Sequence, residues 1–159
     1  MCKIKPVLKN DLHPAKFTFI FLIISLLFLS SATPDAGLTE EVLKHTNQFR
    51  KSKGFKALEM RSDLNEIAQK HSNDMASGRT SFGHGGYEKR ESQVRKIIKP
   101  FGSMAENVAY GARTGKEAVE IWKNSSGHRK NMLGDFKYIG IGTASSKKGV
   151  IYYTQIFAR

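Results

Sequence analysis

The chain has 159 residues, which suits one domain and not two. Its formal net charge is +12, which favours anionic partners such as wall polymers or anionic lipid, although solubility is the plainer reading. The basic residues form no aromatic-interleaved stripe, so nucleic acid is not an expected partner, and the single cysteine, Cys2, excludes a disulfide framework.

Lys3, Lys5, Lys9 and Lys16 precede an apolar stretch from Phe17 to Leu29, broken only by Thr18 and Ser25. Ser30-Ser31-Ala32 then supply small residues suited to a signal-peptidase pocket. This order predicts a secretory signal over residues 1–32, cut after Ala32, and a secreted, extracytoplasmic protein. The alternative is an uncleaved N-terminal membrane anchor, although the run is shorter than the roughly 20 apolar residues of an ordinary span. Removing 32 of the 159 residues leaves 127, and removing four lysines and Asp11 leaves a net charge of +9. A domain of that size buries about two-thirds of its unfolded surface and needs no covalent staple.

After a short lead-in over 33–37, the domain is expected over 38–159. Thr39 is placed to cap a first helix, with Glu40 and Glu41 at its positive end. Val42, Leu43, Thr46 and Phe49 line one side of it, and Gly54 stops it. The second helix has the clearest pattern: Leu64, Ile67, Ala68, His71 and Met75 form one stripe, with Ser62 or Asp63 as cap and Gly78 as stop. Thr80–Gly86 is a glycine-rich loop around His84. Tyr87–Lys99 reads as a polar, basic helix anchored by Val94, Ile97 and Ile98, and Pro100 and Gly102 end it. Ala105–Gly111 predicts a strand. Thr114 and Glu117 have the capping-box spacing and open a helix carrying Ala118, Val119, Ile121 and Trp122. Ser125-Ser126-Gly127-His128 starts a further short helix. Phe136–Thr143 and Val150–Ala158 are β-rich runs joined by a turn at Ser145–Gly149. Helices first, one strand, more helix and a closing hairpin predict an α+β layered domain with an antiparallel sheet.

Three side chains stand out chemically. His84 is flanked by glycines, His128 stands at a helix entrance, and Glu106 sits on the short strand among apolar neighbours. Two histidines and a carboxylate can bind zinc and leave a position for water. They can equally form a general acid–base pair, because histidine titrates near neutrality. The 22-residue intervals match no local zinc motif. His71 and His45 lie on or beside apolar helix faces and read as packed residues outside the site. No G-x-S-x-G, P-loop or dinucleotide-binding fingerprint occurs, and Ser126 near His128 lacks the strained turn of a nucleophile elbow. Asn124-Ser125-Ser126 is a glycosylation sequon only in a eukaryotic secretory pathway.

Five segments carry a resemblance. Leu64-Asn65-Glu66-Ile67-Ala68-Gln69-Lys70-His71-Ser72-Asn73-Asp74-Met75 resembles the L…A…HS.DM helix of bacterial CAP-domain proteins, and Phe82-Gly83-His84 resembles the F.H that follows it. Met104-Ala105-Glu106-Asn107-Val108-Ala109-Tyr110-Gly111 resembles GEN-[IV]-A-x-G. The run from Trp122 to Leu133 resembles W.NS.GHR.N[IM]L. Ile139-Gly140-Ile141-Gly142 and Tyr153-Thr154-Gln155-Ile156-Phe157 resemble the closing hairpin. The likeness to the CAP (SCP/TAPS) superfamily runs from about Leu38 to the C-terminus. It implies a three-layer α-β-α sandwich with a small antiparallel sheet, and a cleft lined by His84, His128 and Glu106. In several relatives the paired histidines bind zinc or another divalent ion. Here that implies His84 and His128 as metal ligands, with Glu106 in the first or the second shell, and no required cofactor beyond such a cation.

Ser125 stands where animal and plant members carry a second glutamate, which weakens the expectation of a metal. Ala105 replaces the glycine of GEN, and Gly85 replaces a hydroxyl residue after the cleft histidine. The cysteines of those branches are absent, so stability rests on core packing by Phe49, Leu64, Ile67, Met75, Trp122, Ile139, Ile141, Ile156 and Phe157. The resemblance therefore implies a monomeric extracytoplasmic binding module for a metal ion or small ligand. Its alternatives are a metal- or histidine-dependent hydrolase, acting on protein or cell wall with His84, Glu106 and His128 as catalytic candidates, and a lipid- or sterol-binding protein. The basic segment Arg90–Lys99, with Arg129 and Lys130, reads as a solvated face that could add affinity for an anionic wall or membrane surface.

Overall fold

The computed structural model describes residues 34–159, with side chains from residue 37; the expected leader lies outside the described residues. The elements in chain order are α1 (Pro34–Ser52), β1 (Glu59–Met60), α2 (Ser62–Ala76), α3 (Tyr87–Ile97) and β2 (Met104–Tyr110). They continue with α4 (Gly115–Asn124), α5 (Ser126–Met132), β3 (Tyr138–Ser145) and β4 (Ile151–Ala158). The first helix begins at Pro34, so Thr39 lies inside it and is not its cap, and residues 34–37 form its first turn. Proline suits such a start, because its fixed φ is helical and its missing N–H would have had no partner.

The sheet order is β1-β3-β4-β2. β3–β4 and β4–β2 are antiparallel, as the closing hairpin predicts. β1 adds a two-residue parallel pair with β3, so the sheet is mixed and not wholly antiparallel. Sequence patterning cannot find two residues whose strand geometry exists only because β3 lies alongside.

Side chains alternate between the two faces of each strand and build two cores. On one face Ile139, Ile141, Tyr153 and Phe157 pack with Val42 of α1, Trp122 of α4 and Met132 of α5. On the other, Ile156 and Ala158 pack with Leu64, Ile67 and Ala68 of α2 and Val94 of α3. This is the three-layer α-β-α sandwich. Of the expected core, Phe49 is only half-buried, and the rest is buried. The Ile-Gly-Ile-Gly run on β3 has a packing cause: a Cβ on Gly140 would stand 2.4 Å from the Leu64 backbone, and one on Gly142 2.2 Å from the Gln69 nitrogen. Glycine alternating with isoleucine lets α2 lie almost against the sheet on one face while the other face fills the opposite core.

Local signals hold with adjustments. Thr114 Oγ1 accepts from Glu117 N–H at 3.1 Å, but the return bond from Glu117 goes to Arg113 N–H, one residue before the cap. Neither Ser62 nor Asp63 caps α2: the helix starts at Ser62 with Arg61 at its N-cap and no side-chain cap, while Asp63, inside the first turn, accepts from Leu64 N–H and pairs with Arg61. Ala105 lies in regular strand, and among the described residues no residue other than glycine has a positive φ.

Candidate functional site

β2 forms one edge of the described sheet, and its consecutive residues face opposite layers. Glu106 is paired with Ile156 and lies on the α2–α3 face, whereas Asn107 is paired with Gln155 on the face of α1, α4 and α5. The site is built around this edge, with the loop before α3 approaching from one side and α5 from the other.

The Glu106 side chain is wholly buried. Arg90 of α3 donates through Nε to Oε2 at 2.6 Å and through Nη2 to Oε1 at 2.7 Å. His84 Nδ1 meets Oε1 at 2.9 Å. A carboxylate on Nδ1 selects the tautomer with its proton there and leaves Nε2 as the acceptor. The bond to Glu106 engages only Nδ1, and the His84 side chain is half-exposed.

The loop that carries His84 is clamped from behind. Arg90 Nη1 also donates to Gly85 O at 2.8 Å, and His71 Nε2 bonds Gly83 O at 2.9 Å. Gly86 adopts φ +76°, which gives the chain the left-handed turn into α3. His71 is buried as expected of its stripe; burial, then the nearby Arg90 cation, hold its pKa below the ordinary histidine value. Arg90, read from the sequence as part of a solvated basic face, is instead almost wholly buried. The buried Glu106 draws it in, because neither charge could lose water without the other.

From the other layer, α5 brings His128. It is half-buried, and burial, then the charge of His84, lower its pKa. Its Nδ1 is buried without a partner among the described residues. Asn107 Nδ2 donates to His128 O at 3.2 Å and to Gln155 Oε1 at 3.2 Å, while Gln155 donates to Thr46. Asn131 of α5 donates to Glu106 O at 3.1 Å and Asn107 Oδ1 at 2.9 Å. These amides tie α5 to the edge strand. Sequence reasoning passed over them, although Asn107, Asn131 and Gln155 all stand in the quoted family segments. An open cavity of about 310 Å³ is lined by His84, Tyr87, Met104, Ala105, Glu106 and Asn131; His128 is not among its walls.

Among the described residues no group of three or more His, Cys, Asp or Glu side chains is arranged to hold a metal ion. Glu106 borders the cavity, but its carboxylate is wholly buried and already engaged by Arg90 and His84. Of the predicted trio, only His84 brings an unengaged ring nitrogen to this cavity, and His128 lies outside its walls.

Fold and site define an α-β-α sandwich with a histidine–glutamate cleft on its sheet edge. The profile of the CAP, or cysteine-rich secretory protein, family matches residues 43–157, and the chain belongs to that family. It is 33% identical over 125 residues to the protein YkwD of Bacillus subtilis (strain 168), covering 76% of this chain and 47% of that protein. It is 33% identical over 123 residues to the membrane protein YlbC of the same organism, covering 76% of this chain and 34% of that protein. The chain thus spans less than half the length of these relatives. An extracellular SCP-domain protein from Bacillus anthracis str. Ames superposes with a TM-score of 0.68 at 27% identity, over 80% of this chain and 44% of that one. No helix among the described residues is long and apolar enough to cross a membrane.

Proposed function

We propose that the protein is an extracytoplasmic binding module for a divalent cation or a small polar ligand, taken up by the imidazole of His84 at the cleft with that of His128, outside the cavity wall, as the second donor. The observation that carries this is the relay from Arg90 through Glu106 to His84 Nδ1, which orients one imidazole and engages only that nitrogen of the ring. A carboxylate placed behind a histidine in this way fixes the orientation and tautomer of the ring. A bound cation would add Lewis acidity; the chain itself supplies orientation and a shielded carboxylate. The basic and apolar leader in the sequence and the likeness to an extracellular protein support a place outside the cytoplasm.

The test is a zinc titration of metal-free protein, followed by imidazole NMR, alongside His84→Ala and His128→Ala. One-to-one binding that perturbs both rings and is lost in both variants is the expected result. Binding that survives both substitutions would overturn the assignment of the cleft. With no zinc binding, a small polar ligand remains, and wall or membrane extracts that also leave both rings unmoved would end the proposal. Hydrolysis of a wall or peptide substrate, lost in both folded variants, would replace the module with an enzyme.

A further inference from the structure

At one end of the sheet three aromatic rings meet in the open. Tyr110 and Tyr152 are paired across β2 and β4 and stack with centroids 5.7 Å apart. Phe82, from the loop before α3, stands T-shaped to Tyr110 at 4.6 Å. Phe82 is 47% exposed and Tyr110 55%. Ile121, also exposed, shares with Tyr110 an open groove of about 1040 Å³ along α4. Exposed large apolar side chains that gather in this way mark a contact surface. The remaining one among the described residues, Phe55, lies elsewhere, with the Arg50 guanidinium 5.6 Å from its ring.

The loops at the same end are basic. The β3–β4 hairpin closes just beyond the Ala144–Tyr152 and Ser145–Ile151 pairs, with Lys147 and Lys148 exposed in its turn. β2 leaves the sheet at Gly111, whose N–H donates to Ile151 O, and the exposed Arg113 and Lys116 follow. None of these four cations has an ion-pair partner among the described residues. Glu117 and Glu120 line the same groove but are engaged, Glu117 by Arg113 N–H and Glu120 by Lys123.

We infer that this end of the sandwich docks on the surface of an anionic lipid bilayer, with Phe82, Tyr110 and Ile121 at the headgroup boundary and the four cations against lipid charge. Aromatic rings with a polar edge, flanked by long basic side chains, are matched to that boundary. A glycan would need an open ring face, and here the rings are turned on one another. The groove along α4 and the cavity at His84 share no lining residue.

Residues 17–29 are themselves apolar, so the reading must come from the patch. In the full chain, Phe82→Trp introduces an indole at the surface, while the native Trp122 is fully buried and serves as the silent control. Vesicles of phosphatidylglycerol with brominated acyl chains should quench the introduced indole. Brominated phosphatidylcholine should quench it far less, and Lys147→Glu with Lys148→Glu should weaken the effect about tenfold. Tyr110→Trp reads the same surface from a second position if the first variant folds poorly. An indole left unquenched on phosphatidylglycerol overturns the inference, as does equal quenching on both lipids or indifference to the lysine changes. Protection of the indole by wall polymer, without quenching by vesicles, assigns the surface to a glycan and overturns it too.

Discussion

Arg90 and Glu106 meet side on, the guanidinium spanning both carboxylate oxygens at 2.6 and 2.7 Å inside the protein. The pair does two things at once. It neutralises the only carboxylate of the cleft trio, and through Glu106 it sets the imidazole of His84. Arg90 also holds the carbonyl of Gly85, so it fixes the loop as well as the charge.

Arg90→Met should therefore be strongly destabilising, by about 3–5 kcal/mol, because it leaves a buried carboxylate without its partner. Replacing both residues, Arg90→Met with Glu106→Leu, should restore much of that loss while leaving His84 without its orienting group. Urea unfolding measures the first effect, and nitrogen chemical shifts of His84 the second. A single variant as stable as the parent would show that the pair is solvated in solution.

The histidine behind the loop gives a pH signature. His71 has its folded pKa below the unfolded value near 6.5, mainly through burial. The unfolded chain then binds more protons in the window between the folded value and 6.5, so stability rises with pH there. The contribution is fully present above the unfolded value and is lost as pH falls through it toward the folded one. His128 acts with the same sign. His71→Gln, which keeps a donor for Gly83 O, should flatten this part of the stability–pH curve. Identical slopes in parent and variant would dismiss the assignment.

Trp122 is fully buried, donates from Nε1 to Val108 O at 3.0 Å and lies edge-on to Tyr153. Trp122→Ala should cost about 3–5 kcal/mol through the cavity it leaves. Trp122→Phe should retain most of the packing but strand the carbonyl, a further loss of about 1 kcal/mol. A melting temperature unchanged in the alanine variant would refute the placement of this side chain at the centre of the core.

Some elements were legible because their signals are local. The stripe of Leu64, Ile67, Ala68, His71 and Met75 needs only the helical repeat, and all five are buried. The hairpin of β3 and β4 likewise shows in two β-rich runs and a turn. The start of α1 and the pairing of β1 were missed; the latter depends on a neighbour far along the chain.

What the sequence by itself determined was the family and the layered fold, since each is written in short runs whose neighbours interact directly. The tertiary structure alone decided how the cleft residues are used. It brought His84 and Arg90 to Glu106 across 22 and 16 residues, set His71 behind Gly83, and joined Phe82 to Tyr110 and Tyr152. It also turned Arg90 from an apparent surface cation into the buried partner of a carboxylate. The reason is physical: a periodic stripe reports which side of one element is apolar, whereas a charge pair forms only where two elements remove both groups from water together.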